Sequence, residues 1–288
     1  MFTEVILPIF IMVIMFGMGL TLTAKDFSRL FFMPKPIIIG LICQLIGLPL
    51  LGFFICIAFD LPPVLCVGVM IIASCPGGAF SNVVSQLIKA NLSLSISLTG
   101  LSTIIGVIST PLIIELSNRY FLASELTEFS MLGTSLGILL ISVVPVLFGI
   151  FFNEKNTQLA QKMAPYFEKL SAVLVVIMIV GVLNQQSGVT IVEIERLVAS
   201  LFSLNISAIL LGGGLALYWG LSKQDALTLG IESGIQNASL AIVISLTMLS
   251  NSEFAATAIV YGLCMISLTL IMFVCKKVAN TKVLVLSS

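Results

Sequence analysis

The chain is 288 residues long, 59% hydrophobic and 9% charged, with a mean hydropathy of +1.20. Soluble domains carry about 25% charged residues, so this composition excludes a soluble globular fold and points to an integral membrane protein. Formal net charge is zero and histidine is absent, which argues against nucleic acid as a partner and excludes histidine proton relays and the commonest metal ligand.

The apolar runs are ~20–27 residues long, the length of a helix across a ~30 Å hydrocarbon core, and strand-like alternation is absent. The first span is expected over Val5 to Leu22, directly after Met1-Phe2-Thr3-Glu4. A signal peptide would need a basic amino-terminal region and a small-residue cleavage site, and neither is found. A loop from Ala24 to Lys35 follows, then a second span from about Pro36 to Phe59 that carries the amide Gln44. A buried amide needs a partner.

The third span, about Pro63 to Lys89, is interrupted by Ser74-Cys75-Pro76-Gly77-Gly78-Ala79-Phe80-Ser81-Asn82. Pro76 removes a backbone donor, and Gly77 and Gly78 loosen the helix, so this span is predicted to break near mid-membrane. In lipid a broken helix survives only where it lines a protein-enclosed cavity. The fourth span, about Leu92 to Ser117, bears the polar stripe Ser95, Thr99, Ser102 and Thr103. Such hydroxyls either bond back to their own helix or face a polar partner.

The polar, acidic linker Asn118 to Ser130 divides the chain into halves, 1–117 and 131–275. A fifth span (Met131 to Phe152), a loop with Lys155, Lys162 and Lys169, a short sixth span (Leu170 to Leu183) and a seventh (Leu197 to Gly220) follow. The eighth, about Ala226 to Leu249, contains Glu232, Gly234, Gln236 and Asn237, and the ninth runs from about Phe254 to Val274. An unpaired charge at the depth of Glu232 costs about 2.5–3.5 kcal/mol, and Gly234 beside it is expected to let the backbone leave helical geometry. A carboxylate, two amides and freed carbonyls in one place form the pattern of an ion site. The six cysteines (Cys43, Cys56, Cys66, Cys75, Cys264, Cys275) lack CxxC spacing and are taken as packing residues.

With nine spans, of the 13 basic residues only Arg119 and Arg196 fall on the side opposite the rest. The positive-inside rule then places the carboxy terminus in the cytoplasm and the amino terminus outside. The two interrupted spans cross in opposite directions, which is the best sequence pointer to an inverted-repeat secondary transporter with its site at the midplane. The first half has four spans and the second five, as if the first repeat lacked its first helix. The expected architecture is therefore an all-α polytopic membrane protein, a single transporter domain of nine helices in which the third and eighth are discontinuous and cross.

Ile14-Met15-Phe16-Gly17-Met18-Gly19-Leu20-Thr21-Leu22, Cys75-Pro76-Gly77-Gly78 with Ser81-Asn82, and Ile231-Glu232-Ser233-Gly234-Ile235-Gln236-Asn237, in this order and spacing, resemble the bile acid:sodium symporter family. The resemblance covers nearly the whole chain. It implies sodium-coupled symport of an organic anion, with two sodium ions as coupling ions and no other cofactor. One sodium would take oxygens from Ser81, Asn82, Ser95, Thr99 and Glu232. The other would take Gln44, Glu232, Gln236 and backbone carbonyls near Ser233 and Ile235. A hard cation wants oxygen ligands.

No Lys or Arg lies in the predicted interior, so the anion is expected to meet the half-helix amino termini near Ala79, Phe80 and Asn237. Two positions depart from the family pattern, Ala79 and the segment Tyr261-Gly262-Leu263-Cys264-Met265, and both touch the expected substrate cavity. A small monocarboxylate such as pantoate or a 2-keto acid is as plausible there as a bile acid. Proton coupling through Glu232 and thiol-dependent metalloid export through Cys75, on a related fold, are the alternatives. A membrane-embedded hydrolase with Ser81 as nucleophile would lack both His and an adjacent Lys base, so the chain is not read as an enzyme. Compact loops suggest a bacterial inner membrane.

Overall fold

The computed structural model describes residues 2–123, 130–183 and 191–286, with all of their side chains except those of residues 2–3, 27, 29–31, 182–183, 191–192 and 274–286. Among the described residues there is no strand, only one isolated bridge. This is what a chain out of reach of water must do, because a helix satisfies its backbone groups within itself.

The helices are α1 (Leu7–Gly19), α2 (Ala24–Phe32), α3 (Pro34–Ile42), α4 (Leu48–Ala58), α5 (Pro63–Ser74), α6 (Ala79–Leu87) and α7 (Leu92–Phe121), then α8 (Met131–Ile138), α9 (Val144–Lys155) and α10 (Thr157–Leu183). After these come α11 (Ile191–Tyr218), α12 (Lys223–Gly234), α13 (Ala238–Val243) and α14 (Ser252–Leu286). Single π-helical turns precede α1 and follow α13, and others join α3 to α4 and α8 to α9, so those pairs run on as continuous rods. Among the described residues, six helices are long and apolar enough to cross a membrane: Pro34–Ala58, Leu92–Phe121, Met131–Lys155, Thr157–Gly181, Glu193–Tyr218 and Ser252–Phe273. Three shorter apolar helices, Glu4–Gly19, Pro63–Ser74 and Ala238–Met248, pack among them. The chain is an integral membrane protein.

The bundle is apolar outside and keeps a set of polar groups within its largely apolar interior. Phe54, Ile108, Leu140, Phe148, Val176 and Leu210 are exposed, whereas Gln44, Ser95, Thr99, Asn205, Glu232 and Gln236 are buried. Leu65 to Ser74 of α5, Leu229 to Gly234 of α12 and all of α13 are buried, so the interrupted helices occupy the centre. One layer consists of α1, α8, α9 and α10, and the other contains α3 to α7 with α11 to α14. Small residues set the closest approaches. A Cβ on Gly149 of α9 would lie 2.7 Å from Gly19 Cα of α1, and one on Gly230 of α12 would lie 3.0 Å from the Ile209 carbonyl of α11.

Three expectations need correction. The segment after the first span is not a plain loop: residues Ala24–Phe32 form α2, with Lys25, Asp26 and Arg29 interleaved with Phe27, Leu30 and Phe31 at helical spacing, the pattern of a helix lying in the membrane surface. Its start is fixed by the Asp26 carboxylate, which accepts from the Thr23 N–H (2.8 Å) and hydroxyl (2.7 Å).

The sixth span is longer than read. Helix α10 starts at Thr157, so Lys162 and Lys169 lie on it rather than in a loop, and only Asn156 separates it from α9. Hydropathy marks where lipid ends, whereas Gln, Ala, Lys, Met and Glu continue a helix beyond that point. The last helix likewise runs on past Val274 to Leu286, carrying Lys276, Lys277 and Lys282 on its backbone, although their side chains fall outside the described set. Of the linker that was expected to divide the halves, residues 124–129 also fall outside it, and its first part, Asn118 to Phe121, continues α7.

The third correction concerns the glycines. Gly234 is the last helical residue of α12, and the chain leaves the helix at Ile235 with an ordinary extended conformation (φ −110°, ψ 100°). Gly78 is also extended (φ −97°, ψ 156°). These glycines are needed for space: a Cβ on Gly234 would lie 2.5 Å from Ile209 Cγ1, and one on Gly78 would lie 3.2 Å from the Gln236 carbonyl.

Candidate functional site

The two interruptions meet. Residues Cys75 to Gly78 between α5 and α6 run antiparallel to Ile235 to Asn237 between α12 and α13, with Gly77 opposite Gln236. The Asn237 N–H donates to the Pro76 carbonyl (3.0 Å) and the Gly78 N–H to the Ile235 carbonyl (3.4 Å). Several of the carbonyls that the breaks free are taken up by side chains. Thr110 on α7 donates to Ser74 O (2.7 Å), and Asn205 on α11 and Tyr261 on α14 both donate to Gly234 O (2.8 Å each). Gln236 Nε2 donates to Ser233 O (2.8 Å) and Glu232 O (3.2 Å), and Gln44 Nε2 donates to Glu232 O (2.8 Å).

Against this crossing lies Glu232, fully buried (0% exposed). Its Oε1 accepts from Ser81 Oγ (2.5 Å) and from Ser95 Oγ, while Oε2 accepts from Thr99 Oγ1 (3.0 Å) and Gln44 Nε2 (3.4 Å). No ion pair neutralises it among the described residues. Ser95 and Thr99, one turn apart on α7, also face Asn82 Oδ1 on α6 (2.8 and 3.4 Å). Gly77 supplies the last wall: a Cβ there would lie 2.7 Å from Glu232 Oε2.

Proton counting shows what the cluster is short of. The hydroxyls of Ser81, Ser95 and Thr99 own one proton each. Those three protons are claimed by Glu232 Oε1 and Oε2, Asn82 Oδ1, Gly78 O (2.8 Å from Ser81 Oγ) and Ser95 O (3.0 Å from Thr99 Oγ1). Five acceptors therefore share three hydroxyl protons, while Gly78 O also accepts from the Ser81 N–H (2.9 Å) and Glu232 Oε2 from Gln44 Nε2 (3.4 Å). Gln44 Oε1, Gln236 Oε1 and Ser233 Oγ are in addition buried without any hydrogen-bond partner. Buried oxygens left without a donor beside a negative charge are chemically suited to a hard cation or an added proton.

Of the residues singled out in the sequence, the fold brings Gln44, Ser81, Asn82, Ser95, Thr99, Glu232 and Gln236 together, with Pro76, Gly77 and Gly78 at the crossing. The carbonyls of Ser233 and Ile235 are there too, each already accepting one hydrogen bond, and Gly234 packs on α11. Ser102 and Thr103 bond back to Thr99 O instead of facing the cluster (3.2 and 2.7 Å). Asn237 uses its Oδ1 to cap α13 at Leu240 N (3.0 Å). Half-buried Ala79 and Phe80 open α6, and Phe80 packs with Val84, Ile88, Ile231 and Ile235. Cys264 is buried in the main apolar cluster, as is Cys75.

Sequence reasoning missed Thr110, Asn205 and Tyr261, the side chains that hold the freed carbonyls. Asn205 carried a usable signal, since it is a lone amide within an apolar run just as Gln44 is. A second polar contact was also missed near the start of α12: Asn91 Nδ2 donates to Asp225 Oδ1 and the Asn91 N–H donates to Thr228 Oγ1, both at 2.8 Å. Asp225, Thr228 and Glu232 share a face of α12, as Asn91, Ser95 and Thr99 do on α7, so one polar seam runs between these helices.

An all-helical bundle with two interrupted helices paired at a buried carboxylate defines a class of integral membrane proteins. Within it, the sequence profile described as the sodium bile acid symporter family matches residues 8–193, and the chain belongs to that family. Similar proteins include the ileal sodium/bile acid cotransporter of Homo sapiens, 32% identical over 83% of this chain and 68% of that one. The uncharacterized sodium-dependent transporter YocS of Bacillus subtilis is 32% identical over 88% of this chain and 77% of its own. The probable chloroplastic sodium/metabolite cotransporter BASS1 of Arabidopsis thaliana is 30% identical over 87% of this chain. The matches span 61% of that plant relative's length and 59% and 60% of two from Oryza sativa subsp. japonica.

Proposed function

We propose that the chain is a secondary active transporter that carries an organic anion with sodium. The observation that carries this reading is the fully buried Glu232 carboxylate, ringed by hydroxyl and amide groups with no ion pair among the described residues, together with the unpartnered carbonyl oxygens of Gln44 and Gln236. Two sodium ions are cargo in this scheme. One is held by Glu232, Ser81, Asn82, Ser95 and Thr99. The other lies between Gln44, Gln236, Glu232 and the carbonyls near Ser233 and Ile235, where amide oxygens now facing no donor would turn to the ion.

Sodium neutralises Glu232 and stiffens the crossing, which favours the conformation that admits the anion. The anion is a bile-acid-like molecule or a small monocarboxylate such as pantoate or a 2-keto acid. It meets the amino-terminal ends of α6 and α13 near Ala79, Phe80 and Asn237, where helix dipoles favour negative charge, with Cys264 on the cavity wall. The layer of α1 and α8 to α10 rocks against the layer of the crossing helices to alternate access. In this reading the chain makes nine passes as an inverted repeat of 1–117 and 131–275, in a bacterial inner membrane, with its amino terminus outside.

The test is equilibrium binding of radiolabelled sodium to purified protein, with potassium and protons as competitors. Saturable binding that survives excess potassium and is lost in Glu232→Ala is expected. A properly folded wild type that binds no sodium would overturn sodium coupling, and competition by protons alone would transfer the coupling to the carboxylate itself.

A further inference from the structure

Outside the crossing, an opening lies on the lipid-facing surface between α3 and α11. It is a groove of about 610 Å³ lined by Pro34, Lys35, Ile38, Ile42, Leu215 and Trp219, among others. Its volume lies within the ~300–1,000 Å³ range of small-molecule sites, and its walls are hydrocarbon except at one end. From Pro34 to Ile42 it extends about 12 Å along α3 at ~1.5 Å per residue.

The end of the groove is specific in two ways. It holds Lys35, which forms no ion pair with a described residue, and Trp219, the only tryptophan in the chain. Trp219 is 54% exposed and stands edge-on to Tyr218, with ring centroids 6.1 Å apart. Trp and Tyr gather at the headgroup level of a bilayer, and a lysine keeps its stem along apolar surface with its ammonium in the polar layer. An aliphatic trough, an aromatic rim and an unpaired cation at the same depth match the tail, the interface and the charge of one kind of molecule.

We propose that this groove is a binding site for an anionic phospholipid, with an acyl chain along Ile38, Ile42 and Leu215 and the phosphate beside Lys35 and Trp219. The charge is what selects this occupant over the neutral lipids that also wet the surface, since a basic residue near the membrane favours an anionic headgroup about fivefold, equivalent to about 1 kcal/mol. Both helices that wall the groove also reach the crossing. Gln44 follows α3 and donates to Glu232 O, and Asn205 on α11 donates to Gly234 O. A lipid seated there holds together two of the arms that fix the end of α12.

Because Trp219 is the sole tryptophan, its fluorescence reports on the groove directly. Purified protein is reconstituted into phosphatidylcholine vesicles carrying the same mole fraction of either phosphatidylglycerol or phosphatidylcholine brominated on the acyl chain. Brominated phosphatidylglycerol is expected to quench Trp219 at about one fifth of the mole fraction that brominated phosphatidylcholine requires, and Lys35→Gln is expected to bring the two curves together. Equal quenching in wild type, or a preference that survives Lys35→Gln, overturns the proposal. Protection of Trp219 from both lipids, as a second copy of the chain seated on this face would give, overturns it as well. The measurement needs no sodium and no transported substrate, so its outcome is independent of the transport reading.

Discussion

Gly77→Ala tests the logic of the crossing most directly. The added methyl carbon would lie 2.7 Å from Glu232 Oε2, 3.3 Å from Gln44 Nε2 and 3.6 Å from Thr99 Oγ1. The first contact is well inside van der Waals distance, so something must move by more than half an ångström. If Glu232 swings away, it loses the hydrogen bonds to Oε2 from Thr99 (3.0 Å) and Gln44 (3.4 Å), and bonds to a charged group are each worth about 1.5–3 kcal/mol. If the backbone retreats instead, the pairing of Pro76 with Asn237 and of Gly78 with Ile235 loosens, and overpacking of this sort costs about 1–3 kcal/mol. The fold is expected to lose about 3 kcal/mol, where the two ranges meet, and the sodium-specific rise in thermal stability of the purified protein, measured against potassium at equal ionic strength, should disappear.

Gly234→Ala is the matched control. Its Cβ would meet Ile209 Cγ1 at 2.5 Å, so it should cost comparable stability, but on the α11 side of α12 and away from the carboxylate. It is expected to melt early while keeping the sodium response, because the stabilising effect of a ligand depends on the site remaining intact. A Gly77→Ala protein with wild-type stability and sodium response, or a Gly234→Ala protein that loses that response, would refute the assignment of Gly77 as the wall of an ion site.

Further substitutions probe the rest of the arrangement. Thr99→Val keeps shape but removes the hydroxyl 3.0 Å from Glu232 Oε2, and should weaken sodium binding about tenfold, or about 1.4 kcal/mol, in a titration of thermal stability. Tyr261→Phe and Asn205→Leu each leave Gly234 O one of its two donors, so each should cost about 1 kcal/mol. The double variant should cost more than the sum, since only then is the carbonyl orphaned, and a double-mutant cycle on thermal stability reads the difference. Gly149→Ala sets a Cβ 2.5 Å from the Phe16 carbonyl and 2.7 Å from Gly19 Cα. Backbone cannot rotate aside, so this variant should fail to give a monodisperse peak in size-exclusion chromatography. The five described cysteines, Cys43, Cys56, Cys66, Cys75 and Cys264, are all buried, and a maleimide should label them only after unfolding.

How much of this was open to reading depends on which residues bear a local cost. Glu232, Gln44, Gln236 and Asn82 stand out because polarity in an apolar run must be compensated somewhere, and that cost is visible one residue at a time. The position of the first break was legible for the same reason, since Pro76 cannot continue a helix, and that of the second from Gly234 beside the costly Glu232. The role of Gly234 was misjudged, because a glycine may serve conformation or space, and only the neighbour that approaches it, here Ile209, decides between them. Helix α2 and the early start of α10 were missed because charged residues near a membrane surface look alike whether their backbone is helical or not.

Chain composition and the spacing of costly residues were enough to determine a membrane-embedded helical bundle, two interrupted helices, and a carboxylate in need of compensation. Those are properties of single segments measured against lipid, and no partner segment is needed to evaluate them. Tertiary structure alone decided that the interruptions pair with each other, and that the freed carbonyls are held by Thr110, Asn205 and Tyr261 from three further helices. It alone decided that Gln44 Oε1 and Gln236 Oε1 are left buried without a donor beside Glu232. Each of these is a relation between atoms far apart in the chain, and the packing of the helices, not the order of residues along any one of them, sets it.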